Sequence, residues 1–208
     1  MKELLKITKD RLKNHLHYGK WYYIGAIVAA VLLVNIAYAV TEPYYPSESR
    51  VSIIMYGGIA EGSVVETWET QMLEILPDDQ REVKIISSVN AEGSMDMVIV
   101  ARVVASDDDI IILNKDGIEN YASQGTFMPL DDLIGRDKIK ELVGENDLTK
   151  YEMFVEGADK DQIYYLPLSH VEGFDEIGLS GENLCIAILL NSGNAENAAI
   201  CFEYIMTR

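Results

Sequence analysis

The sequence predicts an α/β fold, a mostly parallel sheet flanked by helices, preceded by one transmembrane helix. Three observations carry this expectation. From Val51 onward, short β-rich runs alternate with helical stretches to the end of the chain, as strand–helix–strand units require. Runs such as Asp109–Leu113 (DIIIL) are apolar almost throughout, the signature of strands covered on both faces. Ahead of them, Tyr22–Val40 runs for 19 residues without a charge. At about 1.5 Å per residue, that run nearly spans a hydrocarbon core of roughly 30 Å.

Charge divides the 208-residue chain in the same place. Residues 1–20 hold six basic and two acidic side chains, and the remainder holds 11 basic and 32 acidic, a net of −21. Basic residues before an apolar span orient its N-terminus to the cytoplasm. Residues 1–20 therefore read as a basic amphipathic cytoplasmic segment, with Leu4, Leu5, Ile7, Leu12 and Leu16 among lysines. Residues 21–40 form the transmembrane helix, with Trp21, Tyr22 and Tyr23 at its headgroup end. Residues 41–50, with two prolines, are a tether, and residues 51–208 are an extracytoplasmic α/β domain. The expected location is the cell membrane, single-pass, with the C-terminal domain outside. The Ala37-Tyr38-Ala39 pattern also admits cleavage after Ala39, as in a signal peptide. Asn35 either bonds a neighbouring helix or is a tolerated polar group near the outer end.

Along the outer domain, Val51–Tyr56 is a strand closed by Gly57-Gly58. Ser63–Leu76 then places Val64, Val65, Trp68, Met72, Ile75 and Leu76 on one helical stripe. Glu82–Ser88 is a second strand, Ala91–Ala105 a helix whose valines and isoleucine would also suit a strand, Asp109–Leu113 a third strand and Lys115–Gln124 a short helix stopped at Gly125. A helical turn is expected at Asp131-Asp132, and residues 137–161 give no clear pattern. Ile163–Leu168 and Leu184–Leu190 read as two further strands, and Ala195–Met206 as a closing amphipathic helix.

The string Asp107–Leu113 (DDDIIIL), then Tyr121–Gly125 (YASQG), then Met128–Ile134 (MPLDDLI) resembles the extracellular solute-binding proteins of ABC transporters, of the sugar type. Tyr164–Ser169 (YYLPLS) is similar to that family's strand near the hinge. Ala195–Met206, behind Asn191-Ser192, is similar to its closing helix. Such proteins close two lobes over a ligand, whereas roughly 165 residues suit one compact domain. The resemblance thus implies a single periplasmic-binding-protein-like lobe, held by a transmembrane helix in place of a lipid-attachment cysteine and offering half a cleft. As function it implies a membrane-anchored binding domain for a small-molecule ligand, an accessory subunit of a transporter. The alternative is a structural or assembly membrane protein whose lobe binds only protein partners. Expected partners are the membrane, transporter subunits or a second copy of the chain.

Ligands of open α/β sheets sit outside the carboxyl ends of the strands. The residues meeting that rule are Gly57, Gly58, Ser87, Ser88, Asn90, Asn114, Lys115 and Asp116. These suit hydrogen bonding to a hydroxylated ligand, but the same residue types also make turns and cap helices. Cys185 and Cys201 are the two cysteines, read either as a disulfide of an oxidising compartment or as two buried hydrophobes. No catalytic set is expected, because His170 has no nucleophile motif beside it. No metal or cofactor is expected either. Asp107-Asp108-Asp109 lacks the spacing of a calcium loop and reads as a soluble charge run at a strand entry. An acidic domain repels phosphate backbones, so nucleic acid is excluded as a partner.

Overall fold

The computed structural model describes residues 9–41, 45–58, 60–88, 95–171, 173–176 and 181–208. The chain forms two compact units, Met1–Tyr44 and Tyr45–Arg208. In the first, helix α1 (Lys9–Thr41) is a single helix of 33 residues. Its stretch Gly19–Tyr38, 20 residues, is long and apolar enough to cross a membrane. The Asn35 amide donates to the Val31 carbonyl at 2.8 Å, so the polar group of this stretch is satisfied by its own helix. Residues 2–8 of the expected amphipathic segment lie outside the described residues, and from Lys9 onward that segment is continuous with the apolar stretch.

The second unit opens with β1 (Arg50–Tyr56), α2 (Gly62–Ile75), β2 (Glu82–Ser88), α3 (Met95–Ala105), β3 (Ile110–Asn114) and α4 (Lys115–Ser123). There follow α5 (Leu130–Leu133), α6 (Arg136–Val143), β4 (Glu152–Met153), β5 (Gln162–Ile163), β6 (Tyr165–Pro167), α7 (Gly173–Glu176), β7 (Leu184–Ile188) and α8 (Ala195–Met206). Five strands form the central sheet in the order β2-β1-β3-β7-β6. β1 pairs in parallel with β2 and β3, and β7 is antiparallel to both β3 and β6. Four of the five strands therefore point one way, and the sheet is mostly parallel, with helices on both faces.

Alternation along the strands sorts the core into two layers. Ile53, Met55, Ile110, Ile112, Ile186 and Ile188 face α2 and α8, where Trp68 meets Phe174 edge to face at a centroid distance of 5.7 Å. Ile54, Tyr56, Ile111, Leu113, Cys185 and Ala187 face α3 and α4. Gly125, with φ of 72°, ends α4 as expected, since that left-handed backbone favours glycine.

Two expectations are corrected. Ile163–Leu168 is not one strand. Asp131 accepts the Ile163 N–H at 2.7 Å and Asp132 accepts the Gln162 amide at 3.0 Å, which holds β5 against β4 and leaves Tyr165–Pro167 to join the main sheet. The acidic run before β3 is not a surface feature, because Asp108 and Asp109 are buried. Asp108 takes a two-point bond from Arg102 at 2.6 and 2.7 Å and accepts the Ser52 hydroxyl at 2.8 Å. Asp109 accepts the Ser52 N–H at 2.9 Å and the Ser192 hydroxyl at 2.6 Å.

Cys185 and Cys201 are both free and buried. Cys185 belongs to the layer under α4, whereas Cys201 on α8 lies in the opposite layer, so the sheet stands between them and a disulfide would require the fold to open. Burial, chiefly, pushes the Cys185 thiol up to about 11 and the Cys201 thiol up to about 12. A thiol reagent near neutral pH should label neither cysteine in the native protein and both after unfolding. Native labelling of either would contradict this packing.

Burial also raises the Asp109 carboxyl above its ordinary 3.8, against the opposing bonds from Ser192 and Ser52. The folded state then holds this proton more tightly than the unfolded chain. That contribution to stability is fully present below the ordinary carboxylate range and is lost as pH rises through the raised value. Glu69, raised by burial as well, adds a slope of the same sign. Asp109→Asn, which cannot titrate, should flatten the fall of stability with rising pH in urea unfolding series across the acid range. An unchanged slope would assign that dependence to other groups.

Candidate functional site

The parallel strands end at one edge of the sheet, and most of the expected site residues lie there. Gly57 and Gly58 follow β1, Ser87 and Ser88 close β2, and Asn114 closes β3 with Lys115 and Asp116 in the first turn of α4. Asn90 lies outside the described residues. The structure brings β1 and β2 together here, with the Gly57 N–H donating to the Ser88 carbonyl at 3.4 Å. It gives several of these residues structural work. The Asn114 side chain accepts the Gly117 N–H at 3.0 Å and caps α4. A Cβ at Gly117 would stand 2.7 Å from that cap oxygen, so a side chain there would displace the cap.

In a doubly wound sheet the favoured crevice lies where the strand order reverses, here between β1 and β3. That position is filled. The buried Leu184 at the start of β7 lies against Gly57, where an added Cβ would come within 3.1 Å of its side chain. β7 runs antiparallel, so its first residue, not its last, arrives at this edge, and an apolar side chain occupies the crevice.

The open cleft sits two strands away, beside β6, with a volume of about 400 Å³. Lys115 and Glu119 of α4 form one wall, and Glu145, Lys150 and Tyr151 form another. Tyr165, Ser169 and His170 from β6 and the loop after it complete it, over Cys185. Of the described residues expected to bind a ligand, Lys115 lines it, with Cys185 of the expected cysteine pair. Glu145, Lys150 and Tyr151 were missed because residues 137–161 give no clear pattern. The Tyr164–Ser169 run, noticed as a strand, was the available pointer.

The cleft is polar and internally paired. The Tyr165 hydroxyl donates to Glu119 at 3.1 Å, and Lys115 lies 3.7 Å from the same carboxylate. Lys150 bonds Glu145 at 2.6 Å and stands 4.8 Å from the centre of the Tyr151 ring. Burial and then the Glu119 charge raise the Tyr165 hydroxyl well above the ordinary phenol range, so it is a hydrogen-bond donor and not a base. The Cys185 thiol below stays protonated, its rise by burial outweighing the pull of Lys115. Two aromatic rings with flanking carboxylates and ammonium groups can hold a polar, ring-bearing molecule. Among the described residues, no group of three or more histidine, cysteine or acidic side chains is placed to hold a metal ion.

No family model matches the chain, and no curated protein matches its sequence. Solved structures similar to it include the N-glycan transport solute binding protein of Streptococcus pneumoniae, with 15% identity over 57% of this chain and 24% of that one, and a TM-score of 0.39. Another is an ABC substrate-binding protein of Listeria monocytogenes in complex with cycloalternan, with 17% identity over 63% of this chain and 34% of that one, at the same TM-score of 0.39. The chain thus matches about a quarter and a third of their lengths.

Proposed function

We propose that this chain is a membrane-anchored, extracytoplasmic binding domain, one solute-binding lobe that takes up a small hydroxylated molecule and serves a transporter as an accessory subunit. The observation that supports it best is the cleft beside β6, lined by the aromatic Tyr151 and Tyr165 and by the polar Lys115, Glu119, Lys150 and Ser169 at the carboxyl edge of the sheet. In this reading the cleft acts by holding its ligand. Gly19–Tyr38 acts in this reading as a retained anchor that leaves the domain outside. The alternative is a structural or assembly membrane protein whose lobe contacts only other proteins.

Full-length protein in mild detergent should melt higher when a matching saccharide from a panel of sugars and oligosaccharides is added. At 100 times its Kd the ligand stabilises by about 2.7 kcal/mol, or roughly 5–10 °C for a domain of this size. Lys150→Ala combined with Glu145→Ala should remove that rise and leave the ligand-free melting temperature nearly unchanged, because the two form an exposed ion pair. No rise with any saccharide, together with stoichiometric recovery of other membrane proteins in a tagged purification, would favour the assembly reading.

A further inference from the structure

Helix α3 is more apolar than its surroundings explain. Its sequence, MDMVIVARVVA, is apolar at nine of its 11 positions, Asp96 and Arg102 being the exceptions, and helices so rich in apolar residues are ordinarily buried. Ile99 is buried, yet Met97 is 81% exposed, Val104 78%, Val100 50% and Val98 48%. Arg102 is turned inward onto Asp108, so the outward face presents methyl groups and no cation.

Position, size and charge together indicate what covers this face. The C-terminal end of α3 lies at the amino edge of the sheet, where the chain enters the domain. Arg50, the first residue of β1, stands 3.9 Å from Asp107, and the Asn191 amide donates to the Ser106 hydroxyl at 2.8 Å and to the Val103 carbonyl. Leu190, 55% exposed, extends the apolar surface there. Residues 42–46 join α1 to the short helical turn Ser47–Ser49 before β1, a link that reaches at most about 18 Å. Eleven helical residues make a strip only about 16 Å long and about 10 Å across, on the order of 160 Å², far short of the roughly 800 Å² per partner that a stable protein pair buries. A surface already held close by a tether needs much less, because the loss of free translation has been met by the anchor. The chain beyond residue 20 carries a net of −21, so attraction to anionic headgroups is not the drive.

We propose that α3 lies on the outer leaflet of the membrane as an interfacial helix, with Met97, Val100 and Val104 set among the headgroups and the ends of the acyl chains. This rests on the reading that Gly19–Tyr38 spans the bilayer. The contact is with lipid of any headgroup charge.

The test uses full-length protein in phosphatidylcholine vesicles whose acyl chains carry bromine. One fluorophore is placed by Met97→Cys, Val104→Cys or, as a control on the opposite layer, Glu74→Cys; the native cysteines are buried and stay unlabelled. Emission at positions 97 and 104 should be quenched several-fold more than at 74. Val100→Glu should abolish the quenching at 97 without changing the melting temperature, and added phosphatidylglycerol should not strengthen it. Equal quenching at all three positions, or none, overturns the inference, as does quenching that needs anionic lipid or rises with protein density. Flotation of the vesicles after an alkaline wash reports the anchor separately. Protein that floats without quenching at 97 and 104 refutes the α3 contact alone, and protein that fails to float refutes both.

Discussion

At the head of β3, the buried carboxylate of Asp109 accepts the Ser52 N–H from β1 and the Ser192 hydroxyl from the segment after β7. Its own N–H donates to the Ser52 carbonyl at 2.9 Å, and its carbonyl accepts the Leu189 N–H at 2.9 Å. One residue thus joins the amino edge of three neighbouring strands. A slip of β1 by one position would break these bonds and turn Ile53 and Ile54 to the wrong layers at once, so the polar contact and the apolar alternation select the same register. Asp108 extends the seam to α3 through Arg102, and Asn194 extends it to the loop before β2 by donating to the Arg50 carbonyl at 3.0 Å and to Gln80 at 2.7 Å. A carboxylate placed in a layer of isoleucines is costly unless every acceptor is used. Here every carboxylate oxygen of Asp108 and Asp109 accepts at least one bond, and the edge they close is fixed.

Closing one edge leaves chemistry to the other, and the reversed strand decides where it can occur. Were β7 parallel to β3, its last residues would reach the carboxyl edge and a loop could open over the β1–β3 crevice. Because it is antiparallel, Leu184 arrives there first and packs against Gly57. The cavity opens instead where β6 ends and the segment around Lys150 folds back, between two walls whose charges are already paired internally. Paired charges of this kind hold side chains in fixed positions, which suits recognition of an uncharged polar molecule better than capture of an ion.

Much of this fold was legible because hydrophobic periodicity is a strong signal. Glu82–Ser88 and Ala195–Met206 end where the pattern says they end. Asp131-Asp132 was read as a helical turn, but its second role, pinning β5, depends on residues about thirty positions away and has no local mark. The acidic run was misread for the same reason. Three aspartates in a row look like solvated charge unless the positions of Ser52, Arg102 and Ser192 in space are known. The rule that ligands sit at carboxyl ends points to the edge of the sheet where the cleft opens. It could not locate the cleft along that edge, because the direction of β7 is not written in its apolar sequence.

A natural sequence tends to agree with itself at every level, and the places where it does not are informative. In α2 the buried side chains are Trp68 and Met72, and the exposed ones are largely acidic or hydroxylic, as a surface helix requires. In α3 valines and a methionine stand outward where glutamates and lysines would have been tolerated. Solubility argues against that choice, and the rest of the domain, with its large acidic excess, obeys solubility closely. A helix exempt from a rule that its neighbours follow is what the proposed lipid contact would require. A link of five residues before Ser47 would keep the domain within reach of a bilayer if Gly19–Tyr38 spans one.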